Sequence, residues 1–523
     1  MGQDFWECLI YLRRYEPMAM EDRIVQVTTR RPLTSFLLCA LRALALAGTV
    51  GLLMACLPLA PLPPTPAAPT PRPLPAAVLM ETPVPPDALS LAPRYAISLT
   101  VDIAQSQVTG EQTVRYTNTE EVPLHDLYLR LFPNTPSYGG EMRVTAVRLN
   151  GEPVSPEVHL GGSALRLPIN PPLAPMETVT ISMAFTVTVP LTDEIDFAQF
   201  SYVRGVMALP EVYPLIPVYN DEGWNVGVAP GDGDAVYSDV AFYQVEVTAP
   251  PTMTLIASGT CALPEAGRWS CQAGPVRDFA LILGDDYRVA SQVADGVVVN
   301  SYFYPDHREG GEQVLRIAVD ALTLYSRLFG PYPYEELDVV ETPTRAGGIE
   351  YPTLVVISDR LYPSHPRLEW VVVHEVAHQW WYGVVGSDQV DEPWLDEALT
   401  QYTTLLYYEF LYGAETAASI LKNDFQATYN RLVKEGNDMP AGLSVAAYPR
   451  DLYGPVIYRK GALYFHALRQ RVGDENFFAL LQAYYRRHRY GIATPDSFLA
   501  TVKMVTGSEH RDLYERWILG VSR

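Results

Sequence analysis

His374-Glu375-Val376-Ala377-His378 sets two histidines four residues apart, with a glutamate directly after the first. If the run Trp370 to Trp381 is helical, the two imidazoles stand one turn apart on one face and can share an ion. Glu375 is then rotated by about 100° from His374, placed to hold a water on that ion without ligating it. H-E-x-x-H on a helix suits one zinc ion with the glutamate as general base. A catalytic zinc needs a third protein ligand and an open fourth position. Trp394-Leu395-Asp396-Glu397-Ala398 offers acids at the start of a second helix, and Glu397 follows His378 after 18 intervening residues. Asp396 and Glu392 are acids close enough in sequence to compete with Glu397. Val371-Val372-Val373 and Trp380-Trp381 surround the motif with apolar bulk, which excludes water and strengthens the field of an ion. Two helix-surface histidines are the plainer reading, and the third acid weighs against it.

The elements that must position these residues follow from the rest of the chain. At 523 residues and 48% hydrophobic side chains it can bury two or more cores. The net charge of −22 argues against a nucleic-acid partner, because phosphate binding needs clustered Lys and Arg. From about Arg94 the sequence alternates: Tyr95 to Val101, Gln112 to Tyr116, Leu127 to Leu131, Thr178 to Val189, Val240 to Thr248 and Phe279 to Leu283 all read as strands with one buried face. Residues 91–290 are therefore expected to form an antiparallel β domain. After Arg308 the period becomes helical, with Val314, Ile317, Ala318, Ala321, Leu322, Tyr325 and Leu328 on one face. Glu336 to Glu341 and Ile349 to Ile357 read as strands flanking the loop Arg345-Ala346-Gly347-Gly348, and beyond Ser364 nearly every segment is helical. Residues 291–523 are expected to be an α+β domain with a small sheet and a helical lobe.

Ahead of these domains, Arg23, Arg30, Arg31 and Arg42 precede the apolar run Ala43 to Ala55, so residues 1–56 read as an export signal. Leu53-Met54-Ala55-Cys56 resembles a bacterial lipoprotein signal, cleaved ahead of a cysteine that becomes the lipidated N-terminus. A retained single-span anchor from about Ser35 to Leu59 is the alternative. Either way the protein is expected outside the cytoplasm and tethered to a membrane. Residues 57–90 are dense in proline and read as a linker. Of the five cysteines, only Cys261 and Cys271 fall in the folded part. They sit on what looks like a hairpin from Leu255 to Gly259 and from Arg268 to Gln272, where they either pair or remain two thiols.

Taken together, H-E-x-x-H and the later Glu397 resemble the aminopeptidase N-like (alanyl aminopeptidase) family of gluzincin zinc peptidases, in a short two-domain form with a thermolysin-like catalytic domain. That spacing favours Glu397 over Asp396 and Glu392. Gly347-Gly348-Ile349-Glu350-Tyr351 resembles the family's Gly-x-Met-Glu-Asn exopeptidase motif. The resemblance implies that Glu350, presented by Gly347 and Gly348, binds the free α-amino group of a peptide. Tyr458-Arg459-Lys460-Gly461 resembles a family segment whose tyrosine stabilises the oxyanion, and Tyr453 is a second candidate for the same pocket. Two departures are expected to matter. The carboxylate often found seven residues after the third ligand is Thr404 here, so support for the histidines must come from elsewhere. The usual Pro-x-x-Ala-Arg stretch is replaced by Leu209-Pro210-Glu211-Val212-Tyr213-Pro214, which makes Glu211 a candidate for amine binding. The implied function is zinc-dependent aminopeptidase activity on peptides, with one Zn2+ per chain. The alternatives are an endopeptidase on the same scaffold or a tethered binding scaffold without catalysis.

Overall fold

The computed structural model describes residues 89–521 apart from 229, 230, 232, 234, 363 and 364, so the export segment and nearly all of the linker lie outside it. Among the described residues, no helix is long and apolar enough to cross a membrane.

The alternating segments form strands, as their period predicts. Arg94–Asp102 buries every second residue, and Ile97, Leu99 and Val101 face inward. It lies inside an eight-stranded sheet with Thr260–Glu265 at one edge and Glu152–Pro153 at the other. The sheet is antiparallel except where Arg94–Asp102 runs parallel to Ala241–Thr248. These two strands are far apart in sequence, so no hairpin signal announces their pairing. A four-stranded sheet containing Val206–Pro210 and Ala280–Gly284 packs with it around one core, which includes Val114, Ile181, Val245 and Leu281.

The cysteine hairpin differs from the reading above. Its first strand is Thr260–Glu265, while Thr254–Ala257 belongs to the four-stranded sheet. Gly259, at φ +83°, separates the two; a side chain there would strike the Gln272 carbonyl. Cys261 and Cys271 are directly opposed in register and form a disulfide.

The second half opens on a five-stranded sheet whose order ends with Glu336–Thr342, Leu354–Ser358 and, at the edge, Gly348–Tyr351. The stretch Ile349 to Ile357 is thus two antiparallel strands, folded back at Pro352-Thr353, where Thr353 takes φ +64°. The helix Arg308–Leu328 covers the sheet, and the helices that follow bury a second core around Trp380, Trp381, Trp394 and Phe465. Arg277 joins the halves: fully buried, it donates to the carbonyls of Ser238, Tyr382, Val384 and Gly491.

Candidate active site

The motif is α-helical over Leu368–His378 and widens into a π-helical turn over Gln379–Val384. His374, Glu375 and His378 emerge from its buried face. The second helix, Glu397–Tyr412, starts at Glu397, and the partial positive charge of a helix N-terminus favours an ionised side chain there. His374 Nε2 lies 3.2 Å from Glu397 Oε2 and 3.2 Å from His378 Nε2, and His378 Nε2 lies 3.4 Å from Glu397 Oε2. Tetrahedral zinc with bonds of about 2.0–2.1 Å requires its donor atoms roughly 3.3–3.4 Å apart, so the three side chains fit that ion.

The neighbouring acids divide by position. Asp396 Oδ1 is 2.6 Å from His378 Nδ1, on the side of the ring away from the triad, so it orients the imidazole. Thr404, expected to offer the histidines no support, places its hydroxyl 3.4 Å from His374 Nδ1 while donating to the Thr400 carbonyl. The second-sphere contact to His374 is thus a hydroxyl. Glu392 does not join either buried cluster of metal-ligating side chains found among the described residues.

Glu350, on the edge strand, is buried in the same cleft. Burial pushes its carboxyl well above the ordinary range; His378 opposes this, and Glu375, Asp396 and Glu397 add to it. Gln389 Nε2 donates to Asp396 Oδ2 at 2.6 Å and reaches Glu350 Oε1 at 3.3 Å, linking the two acids. Gln379 ties the strand to the motif helix, accepting from Thr353 N and donating to Tyr351 O. The two glycines differ in role. A Cβ on Gly348 would fall 2.4 Å from Glu375 Cγ, whereas one on Gly347 would make ordinary contact with Val371 at 3.4 Å. Only Gly348 is required for the close approach of the strand to Glu375.

Tyr458 sits on a second π-helical turn, Pro455–Gly461, and its hydroxyl donates to Glu397. Tyr453 packs edge-on against it at 6.0 Å. The cleft lined by Glu350, His374, Glu375, His378, Glu397 and Tyr458 has a volume of about 260 Å³. Glu211 is buried behind it, accepting from the Tyr138 hydroxyl. Tyr138 lines a small chamber beside Glu350 together with Gln199, Tyr382 and Gln389, so Glu211 stands one side chain removed from the amine site proposed from sequence. Gln199, Gln379 and Gln389 were not singled out by sequence. Only Gln379 carried a signal, its position directly after the second histidine.

A buried His-His-Glu triad, a glutamate beside the first histidine and a sheet-edge carboxylate together have the donor set and layout of a gluzincin-type zinc site. Residues 314–517 match the peptidase family M1 domain. The chain is 24% identical over 263 residues to Aminopeptidase M1 of Arabidopsis thaliana, covering 47% of this chain and 30% of the relative. It is 26% identical over 265 residues to human Aminopeptidase B, covering 47% and 40% respectively. The chain thus spans well under two thirds of the length of these curated relatives. A variant M1 zinc metallopeptidase from Deinococcus radiodurans, solved bound to a Tyr-Ser-Ala substrate, shares the fold with a TM-score of 0.60 at 21% identity, over 83% of this chain and 95% of that one.

Proposed function

We propose that the protein removes N-terminal residues from peptides, with zinc held by His374, His378 and Glu397. The observation that carries this reading is Glu350: a buried carboxylate, unpaired with any Lys or Arg among the described residues, sharing one cleft with the triad. A substrate ammonium is the cation that site lacks, and charge-assisted contact would fix the first residue at a set distance from the triad.

Zinc, when bound there, supplies Lewis acidity toward a carbonyl oxygen and acidifies water. Glu375, pressed against Gly348, takes the proton of the attacking water and returns it to the leaving amine. The Tyr458 hydroxyl leaves Glu397 to donate to the developing oxyanion, a neutral donor aimed from the far helix. Asp396 and Thr404 hold the rings so that both Nε2 atoms face the ion. Blocking the substrate's amine separates this reading from an endopeptidase. An N-acetylated peptide is expected to lose most of its hydrolysis, and undiminished cleavage would favour the endopeptidase.

From the export segment we further propose that the enzyme lies outside the cytoplasm, tethered by a lipid on Cys56 with residues 57–90 as spacer. The Cys261–Cys271 disulfide supports an oxidising compartment. Cys56→Ser is expected to release the protein from the membrane fraction; retention after that change would favour the single-span anchor.

A further inference from the structure

The cleft is electrically polarised along the motif helix. Gly347 lies against Val371, Gly348 against Glu375, and Tyr351 O accepts from Gln379, so the edge strand and the helix run in the same direction. Glu350 therefore stands at the level of His378. Arg367, at the head of the helix, lies 11 residues earlier (378 − 367), about 16 Å along the axis. It lines the same cleft, as does Arg459. Arg367 has no acidic partner among the described residues. Arg459 donates through Nε to Asp424 at 3.1 Å and lies over Phe425, which packs against Trp370 near the head of the helix; its Nη groups have no hydrogen bond among the described residues. Acids thus gather at one end and two guanidinium groups at the other, with Glu375 between.

We infer that Arg367 and Arg459 form a carboxylate subsite for the free C-terminus of a short peptide, and that substrates of three or four residues with both termini free are preferred. This rests on the aminopeptidase reading, which sets the amine at Glu350. A peptide paired antiparallel with the edge strand would run from Glu350 toward Gly347 and on to Arg367. An extended tripeptide spans about 10 Å and a tetrapeptide about 13 Å. The remaining few ångströms are within the reach of an extended arginine side chain. Guanidinium groups suit this task because their donors match the two oxygens of a carboxylate. An acidic side chain on a longer peptide offers the same chemistry, and the test separates the two sources.

Three substrates are compared by release of free alanine: tri-alanine, its C-terminal amide, and penta-alanine amide with glutamate at the third position. Tri-alanine is expected to show a KM roughly fivefold below that of its amide at low salt, a gap that narrows at high ionic strength. R367Q, alone and with R459Q, should bring the two KM values together, with zinc content and Tm as folding controls. Equal KM values in the wild type, or a gap that survives both substitutions, would overturn the subsite. A gain confined to the glutamate-bearing pentapeptide would overturn the assignment to a peptide terminus. If no free-amine peptide is cleaved, the aminopeptidase reading falls. Calorimetric binding of tri-alanine and its amide to E375Q then still decides the subsite, since that comparison needs no turnover.

Discussion

Glu397 and Asp278 are both buried carboxylates, yet their proton affinities are shifted in opposite directions. Burial alone would raise the Glu397 carboxyl; hydrogen bonds from His374 and His378 outweigh it and hold the group far below its usual range. Asp278 meets the Tyr382 hydroxyl instead, and burial pushes its carboxyl up to about 7, although Tyr382 and Arg277 pull the other way. Its neighbour Glu211, bonded to Tyr138, is also raised by burial and by Asp278. Both clusters are acidic and buried, but only one offers imidazole nitrogens alongside its carboxylate. A concentration of acids is thus a poor sign of a metal site. The sign is the mixture of a carboxylate with neutral nitrogen donors at ligand spacing.

That contrast can be broken or sharpened by substitution. The largest effect is expected from Glu375→Gln, which should cut kcat by roughly 10²–10⁴ while zinc content stays at one per chain; normal peptide turnover by this variant would end the mechanism. Gly348→Ala should lower kcat/KM by about 10²-fold through displacement of Glu375, whereas Gly347→Ala, with room for a methyl group, should change it far less. Asp396→Asn, which removes the charge behind His378, should weaken zinc about 10–100-fold in a chelator competition. An unchanged affinity would mean that the ring needs no such support.

The smallest effect concerns the tyrosine-paired acids. With its folded pKa near 7 and its unfolded value near 3.8, Asp278 binds its proton more tightly in the folded protein. Its contribution to stability therefore falls as pH rises from about 4 to 7. Asp278→Asn should match the wild type near pH 4 and gain a few °C in Tm by about pH 8. A gain that is the same at both pH values would show that Asp278 does not titrate differently in the folded and unfolded protein between about pH 4 and 7.

How much of this was legible in the sequence depends on how far apart the partners lie. His374, Glu375 and His378 are fixed by the helical period, and Glu397 by its distance from them, so the triad could be read directly. The strands of the β half were equally plain, since Arg94–Asp102 alternates without a break. The wall around Glu350 was legible only in part. Its glycines and glutamate are contiguous, but Gln389 and Gln199 reach it from other segments, and no local pattern marks a residue that acts across such a distance. Pairing was hidden for the same reason: the Cys261 strand was displaced because two short strands divided by Gly259 read as one. The role of Thr404 was missed because a carboxylate was sought where a hydroxyl suffices.

Arg277 carries a consequence for how the molecule can be divided. Its guanidinium comes from the β half and occupies the space beside Gly386, where a Cβ would meet its Cζ at 2.1 Å. The carbonyls it caps include two from the turn that follows the second histidine. A catalytic half cut free of its partner would leave those carbonyls bare in an apolar setting, next to the helix that carries the ligands. The β half is in this sense the back wall of the active site, and trimming it away is expected to cost the enzyme its metal before it costs the enzyme its substrate.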